Sequence, residues 1–439
     1  MGIPLRPVKR DRLCTESIGG KEEIRFGYSV MPGKNGQERC RKMEKQELRS
    51  GFTTGTCAAV AAKAAAAMLL TGSELQHMTL MTPKGRSADL PLFHVVLRQQ
   101  KAVCAVKKDA GDDPDVTHQA MVFASVQYSD KNEEGQTVGI YRRDGEEGKD
   151  PLFLTAGEGI GWVTKPGLSC PVGMPAINPV PRDMIFCGVE EARKEAGFDG
   201  SLTITIWMPE GKKLAEKTFN SRLGIEGGLS ILGTTGIVKP MSEEALIATI
   251  RLELHMKAVS GKKQVILVPG NYGEAFIQET LGLDLKDGVI CSNFIGEALQ
   301  SAGEEGFHQI LFAGHIGKLI KTAGGVPNTH SKYGDRRMEI LWDCTAPFSE
   351  DGDGLKDKIL TANTMEEAAG ILKSLGILEP VMEEVVDRIQ GYMTLWSGGR
   401  QVEVVTFSTM YGILGMSRGA MELIGLFSGT ESGRKEQEE

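Results

Sequence analysis

From Gln264 onward the chain alternates short apolar runs with helical stretches, and this rhythm limits the fold more than any other feature. Val265-Ile-Leu-Val268 reads as a buried strand, followed by Pro269-Gly-Asn-Tyr-Gly273 and a helix beginning near Glu274. Val289–Ser292 then Phe294–Ala302, and Gln309–Ala313 then Ile316–Ala323, repeat the unit. Such a repeat builds parallel strands joined by crossover helices. Residues 365–391 read as helices and Val402–Phe407 as a closing strand. The expectation over about 238–410 is a three-layer α/β domain, Rossmann-like, with a mostly parallel sheet. Ligands of such sheets sit at the carboxyl ends of the strands. That edge collects Pro269, Gly270, Asn271, Tyr272 and Gly273, with Asn293 and Gly314–Lys318. A glycine-rich turn there can hold the sugar or carboxyl group of a nucleoside cofactor, although its spacing is not the dinucleotide fingerprint.

The preceding part reads as an α+β domain over about 48–237. Met78–Thr82, Leu92–Leu97, Val103–Val106, Met121–Tyr128 and Leu202–Trp207 are strand-like, and Met184–Ala196 is helical. At its start Gly51 and Gly55 let the backbone turn, and Thr53, Thr54 and Thr56 are of the type that caps helices. From Cys57 to Leu70 there is no Gly or Pro. The expected object is a tight loop feeding a helix with free N–H groups at its start, which attract carboxylates and phosphates. Gly233-Thr234-Thr235-Gly236 repeats this chemistry before a second helix start at Ser242 and Glu243. The two turns either face a common anionic ligand or echo one another by chance. Residues 1–47 read as a mobile extension with a short ordered piece near Glu23–Val30. Ser129–Asp150 is a charged excursion, and 411–439 a C-terminal helix followed by a disordered tail.

Between Thr155 and Arg182, glycine and proline are too dense for regular structure, yet Ile160, Trp162, Val163, Val172, Met174 and Ile177 are apolar anchors. This predicts an ordered, folded-over loop, and long ordered loops carry function. Lys165 and Arg182 are its candidate anion contacts. The segment Lys107–His118 concentrates Asp109, Asp112, Asp113 and Asp115 around Gly111 and Pro114. Its spacing does not fit a calcium loop, so a turn rich in Asx hydrogen bonds is preferred and no metal site is expected. His315 and His330 are the histidines placed for proton transfer, with a hydrogen-bonding role as the alternative. Asp335, Arg336 and Arg337 can pair with one another, cap the next helix or grip carboxylates.

At 439 residues the chain exceeds one ordinary core, which points to two domains. A net charge of −8 argues against nucleic acid as a partner. No apolar run is read as long enough to span a bilayer, and no signal peptide is read at the start. The eight cysteines are scattered without a CxxC pair, which favours reduced thiols in the cytoplasm.

Gly51–Cys57, Lys108–His118, Gly157–Pro166, Pro171–Arg182, Thr218–Pro240, Pro269–Gly273, Gly314–Gly325 and Asn328–Glu339 together resemble the cobalt-precorrin-5B C-1 methyltransferase family of anaerobic cobalamin biosynthesis. The resemblance runs from about Leu48 to the closing strand. It implies transfer of a methyl group from S-adenosylmethionine to C-1 of a ring-contracted cobalt corrinoid, giving cobalt-precorrin-6A. The implied partners are the cobalt-corrinoid precursor, with cobalt only as part of the substrate, and neighbouring pathway enzymes. Asp112 and Asp113, as candidate catalytic residues, or Glu158, as a cofactor contact, would then lie near the sulfonium. The acetate and propionate arms of the macrocycle would be met by Thr53, Thr54, Gly55, Thr56, Lys165, Arg182, Arg222, Thr234, Thr235, Lys318 and Arg336, with Lys239 and Arg337 nearby. A non-catalytic corrinoid carrier and a small-molecule phosphotransferase are the competing readings. The second lacks a GxxxxGK[ST] sequence.

Overall fold

A computed structural model describes residues 48–129, 139–145, 149–285, 288–349 and 352–428. The expected N-terminal extension, most of the charged excursion and the tail beyond 428 lie outside these residues. The described chain is mixed α/β, with twelve α-helices and four sheets, two of them large.

The helix Thr54–Thr71 is apolar around its whole circumference and lies between the seven-stranded sheet and the helix Pro179–Ala196. Its alanines allow this. With only a methyl group at Ala58, Ala59, Ala61, Ala62, Ala64, Ala65 and Ala66, all fully buried, neighbouring backbones approach closely. Cys104 Sγ, on a sheet strand, reaches Ala61 O at 3.2 Å. On the partner helix a Cβ at Gly188 would stand 3.1 Å from Lys63 Cβ and 3.2 Å from Leu80 Cδ1. One sequence expectation needs correction here. At 18 residues and a mean hydropathy of 1.3, this helix does meet the length and composition of a bilayer span. Packing accounts for that apolarity, because 78% of it is buried inside the protein.

The seven-stranded sheet runs in the order His77–Met81, Ser87–Arg98, Lys101–Lys107, Met121–Tyr128, Leu202–Trp207, Leu152–Ala156, Tyr141–Arg143. All neighbours are antiparallel except Leu152–Ala156 beside Leu202–Trp207. Alternate residues such as Val122, Ala124 and Val126 face the helix Thr54–Thr71. The helix Pro179–Ala196 begins earlier than the expected Met184, because Pro179 pre-sets the dihedral of a first helical turn.

The five-stranded sheet runs Gly288–Ile290, Gln264–Val268, Gln309–His315, Gln401–Ser408, Gly412–Met416, with only the last strand antiparallel. Beyond residue 410 the sequence reading has only a helix and tail, whereas the strand Gly412–Met416 precedes the helix Ala420–Ser428. After Val268 the chain turns to one face, where Phe276 and Ile277 pack on Ile266, Leu311 and Val405. After His315 it turns to the other, where Ile316, Leu319 and Ile320 pack with Val265, Phe312 and Val404. Two adjacent parallel strands thus send their chains to opposite faces, which opens a crevice at their carboxyl ends.

The glycine- and proline-rich loop is ordered, as expected. Trp162–Val163 pairs with Ile225–Glu226, and Ile160, Trp162 and Ile177 make further bridges to Leu229, Pro175 and Ile231. A small apolar cluster of Val163, Cys170, Ala176, Leu223 and Ile225 seats it on Met256 of the helix Glu243–Val259. Near the start of the described residues, Gly51 lies directly on the Asp109–Gly111 backbone. A Cβ at Gly51 would sit 2.2 Å from Ala110 C and 2.3 Å from Asp109 O. Backbone cannot yield as a side-chain tip can, so Gly51→Ala is expected to destabilise the protein by at least about 2 kcal/mol. Chemical unfolding of the variant measures this, and a midpoint equal to that of the parent protein would refute the close contact.

Candidate functional site

The two Thr-Thr-Gly turns meet in space. Gly51–Phe52 pairs antiparallel with Ile237–Val238. Thr53 N–H donates to Gly236 O at 3.2 Å, and Thr56 Oγ1 donates to the same oxygen at 2.7 Å. Gly55 N–H donates to Leu232 O at 2.9 Å. Thr54 Oγ1 donates to Leu232 O at 3.2 Å and accepts from Leu232 N–H at 3.1 Å. The N–H groups of Thr56 and Cys57 go to Thr53 Oγ1 and Thr53 O. The expectation of free N–H groups at this helix start is therefore corrected for these three: the second turn and the cap residue use them. Thr234 and Thr235 are exposed, and Thr235 Oγ1 accepts from Ile237 N–H within its own turn.

Beside this junction opens a cleft of about 760 Å³. Val163, Leu168, Leu223, Ile225, Leu229 and Leu252 give it apolar walls, and Lys108, Asp115, Asn178, Asn220, Ser230 and His255 are among its polar groups. Phe219 and Leu232, each about half exposed, stand in its lining. That size and that ratio of apolar to polar groups are those of a small-molecule site. Thr53 and Thr54 line it as well.

The acidic loop forms part of the same wall, and its aspartates divide their work. Asp109 grips the Arg49 guanidinium with both oxygens, at 2.5 and 2.9 Å. Asp112 accepts the Arg49 N–H at 2.6 Å, and Asp113 accepts the Met241 N–H at 3.1 Å. These two candidate catalytic residues act as backbone clamps and line neither large cleft. Asp115 is the aspartate that reaches the 760 Å³ cleft, paired there with Lys108. Sequence reasoning did not single out this pair, although Lys108–His118 was among the stretches that drew notice.

A second cleft of about 610 Å³ is lined by an adjacent face of the helix Glu243–Val259 and shares Leu223 with the first. Lys165, Arg222, Glu253 and Glu274 line it. Arg222 Nη2 lies 3.7 Å from Glu274 Oε1, so it is partly neutralised. Burial pushes the Glu253 carboxyl up, opposed by the charges of Arg222 and Lys257. Arg182 lines neither cleft; its guanidinium stacks 4.1 Å from the Tyr141 ring centre.

At the crevice of the parallel sheet, Pro269, Gly270, Gly314 and Lys318 come together. Lys318 Nζ donates to Pro269 O at 2.6 Å, and burial lowers its pKa. Gly314 is required because a Cβ there would press on Pro269 Cγ at 2.9 Å. Gly270 has φ of 133°, and a Cβ there would have only Lys318 Nζ within 4 Å, at 3.8 Å. Asn271 opens the helix Asn271–Glu279, earlier than the expected Glu274; Gly273 packs on Val268, and Tyr272 is 78% exposed.

Both candidate histidines cap short helices. His315 Nδ1 accepts the Gly317 N–H at 3.1 Å, and its Nε2 lies 3.0 Å from Glu366 Oε1. With Nδ1 accepting, the ring hydrogen belongs on Nε2, directed at the Glu366 carboxylate. In this geometry His315 has no lone pair open to accept a proton, and it serves in the hydrogen-bonding role that was the alternative to proton transfer. His330 Nδ1 accepts the Lys332 N–H at 3.1 Å, and the residue is exposed. Glu366, which sequence reasoning did not mark, carries no local signal beyond its place after the cap Thr364. Glu158 is exposed and lines neither large cleft, and Arg336 is exposed ahead of the helix Arg337–Thr345, while Arg337 is held by Asp335.

Two family models match the chain: CbiD over residues 41–240, and CbiD, C-terminal domain, over residues 328–418. A protein of Thermoanaerobacter sp. (strain X514) named cobalt-precorrin-5B C(1)-methyltransferase is 42% identical, over 79% of this chain and 88% of the relative. Relatives of the same name from Ruminiclostridium cellulolyticum and Clostridioides difficile (strain 630) are each 39% identical. They cover 83% and 88% of this chain, and 90% and 98% of their own lengths. The 1.9 Å crystal structure of the cobalamin biosynthesis protein cbiD from Archaeoglobus fulgidus is 25% identical, over 63% of this chain and 80% of that one, with a TM-score of 0.33.

The Arg49 hydrogen bonds hold the Asp109 carboxyl at about 2, below its ordinary 3.8. The folded state thus resists protonation of Asp109, and its contribution is complete above 3.8 and lost as pH falls through about 2. Because the pair is exposed, the contribution is small. Urea melts across this acid range are expected to show a shallower loss of stability in Asp109→Asn than in the parent. Equal slopes would refute the linkage.

Proposed function

The chain belongs to the CbiD family, and on that footing we propose that it methylates C-1 of cobalt-precorrin-5B, with S-adenosylmethionine as the methyl donor and cobalt-precorrin-6A as the product. The observation that carries the reaction is the similarity to relatives of that name over most of their length. The 760 Å³ cleft is the proposed seat of the macrocycle, because it is wide, mostly apolar and bordered by loops that supply isolated polar groups. The proposed division places this substrate side in residues 48–237 and the cofactor side, Rossmann-like in character, in 238–410.

For the methyl donor, the crevice between the strands Gln264–Val268 and Gln309–His315 fits best. The space beside Gly270 is what a Cβ would fill, and the Lys318 ammonium stands at its edge to meet a carboxylate. Tyr272 offers an exposed ring for stacking against a base. When bound there, the donor supplies a methyl group already activated on a sulfonium. The residues around it bind and orient. Gly270 and Lys318 hold the donor, the Arg222–Glu274 pair joins the loop carrying Phe219 to the helix Asn271–Glu279, and His315 pins Glu366. Alignment of carbon and sulfonium accounts for much of the acceleration in such transfers. No general base is assigned. The six free cysteines among the described residues favour a reducing, cytoplasmic setting.

Anaerobic incubation with cobalt-precorrin-5B and methyl-labelled S-adenosylmethionine is expected to place label in the macrocycle. Binding of both compounds without transfer would favour the carrier reading instead. Lys318→Met is expected to raise the KM for S-adenosylmethionine about tenfold or more, as the loss of one charged hydrogen bond implies, with little change in the KM for the corrinoid. An unchanged KM for the donor would remove Lys318 from this site.

A further inference from the structure

We propose that Lys108 is the anchor for a carboxylate arm of the corrinoid, and that Asp115 holds that position until the arm arrives. The inference rests on the assignment of the macrocycle to the 760 Å³ cleft. Lys108 stands at a rigid neck. Its N–H donates to Ala120 O at 2.9 Å and its carbonyl accepts from Gln119 N–H at 2.8 Å, closing the acidic loop. The side chain is 1% exposed yet lines the cleft, and it is the only lysine or arginine among the described lining residues. A lysine this deep requires a counter-charge. An ammonium carries three N–H donors. Asp115 is the one acceptor found for them among the described residues, so donor capacity remains.

Asp115 is held from behind. Its Oδ1 accepts the Thr117 N–H at 2.7 Å and the Thr117 hydroxyl at 2.6 Å, leaving Oδ2 for Lys108. Burial raises its pKa, but Lys108 and Thr117 more than offset this and the net shift is downward. Asp115 is therefore held as the carboxylate, a counter-charge facing Lys108. Of the other ionisable groups in the lining, His255 is already engaged by Glu305 at 3.0 Å, and burial pushes the Cys170 thiol up. An incoming carboxylate thus meets one ammonium, with a short-range competitor that it shares or displaces. Free acetate or propionate arms would be bound, and amides of the same shape would not.

This gives two variants of opposite sign. Lys108→Met removes the anchor; Asp115→Asn keeps the anchor and removes its competitor. Cobyrinic acid, a cobalt corrinoid with free carboxylate arms, and its fully amidated form serve as probes in calorimetric titrations. The parent protein is expected to prefer the acid. Lys108→Met should lose about tenfold or more in affinity for the acid with no change for the amide. Asp115→Asn should bind the acid more tightly while melting at a lower temperature, since Lys108 is left unpaired. Lys108→Met/Asp115→Asn restores neutrality, and circular dichroism on it separates folding from binding. A pair with only a structural role would lower affinity equally in both single variants, and that result overturns the proposal. So does a parent protein without preference for the acid. Acid-selective binding without transfer of label to cobalt-precorrin-5B would support the anchor while sinking the methyl-transfer reading.

Discussion

The cleft side of the molecule depends on one short contact, the antiparallel pairing of Gly51–Phe52 with Ile237–Val238. It joins residues about 180 positions apart, as the bond from Thr56 Oγ1 to Gly236 O measures. Closing so long a loop costs entropy that a two-residue ladder does not offset alone. The threonines make up the difference by satisfying backbone groups of the opposite turn. Once closed, the junction sets three things together: the start of the central helix, the wall of the large cleft, and the path into the helix Glu243–Val259. The acidic loop then locks onto it through Arg49 and Met241.

A polyanionic ligand and a protein of net charge −8 need locally arranged cations. Several of those arranged here are already answered. Arg222 faces Glu274, Arg337 is held by Asp335, Lys332 by Glu243, and Lys108 by Asp115. Arg182 rests on an aromatic ring instead. On the proposed reading, recognition there proceeds by exchange of partners rather than by filling a bare positive basin. Exchange favours selectivity over sheer strength, because each incoming carboxylate must compete with a resident one.

Local pattern carried much of the fold. Val265–Val268 and Gln309–Ala313 announced themselves because strands covered on both faces are continuous apolar runs. The helix after Cys57 followed from composition, and the Thr53 cap from residue type. The misses have equally local causes. The strand Gly412–Met416 is an edge strand, half exposed and lacking such a run, so its identity lies in its partner. Much of the candidate site was less legible, because it is made by side chains that meet across long separations. Nothing near Thr364 marks Glu366 as the partner of His315, and nothing in a run of four aspartates shows which one turns inward. Histidine at a strand end reads as chemistry from sequence; only the Gly317 N–H on its Nδ1 reveals a cap.

The central helix carries eight alanines between Ala58 and Ala67. An interface built from the smallest chiral side chain has an uneven relation to mutation. Ordinary cores lose stability when a residue shrinks; here almost every substitution enlarges one. A single nucleotide change in an alanine codon gives Val, Thr, Ser, Pro, Asp, Glu or Gly. Six of these add bulk or polarity where Cys104 and the partner helix already touch, and the seventh loosens the helix. Seven of those alanines are fully buried, so this segment has few permitted neighbours in sequence space. Its composition is then held in place by geometry alone, independently of any ligand.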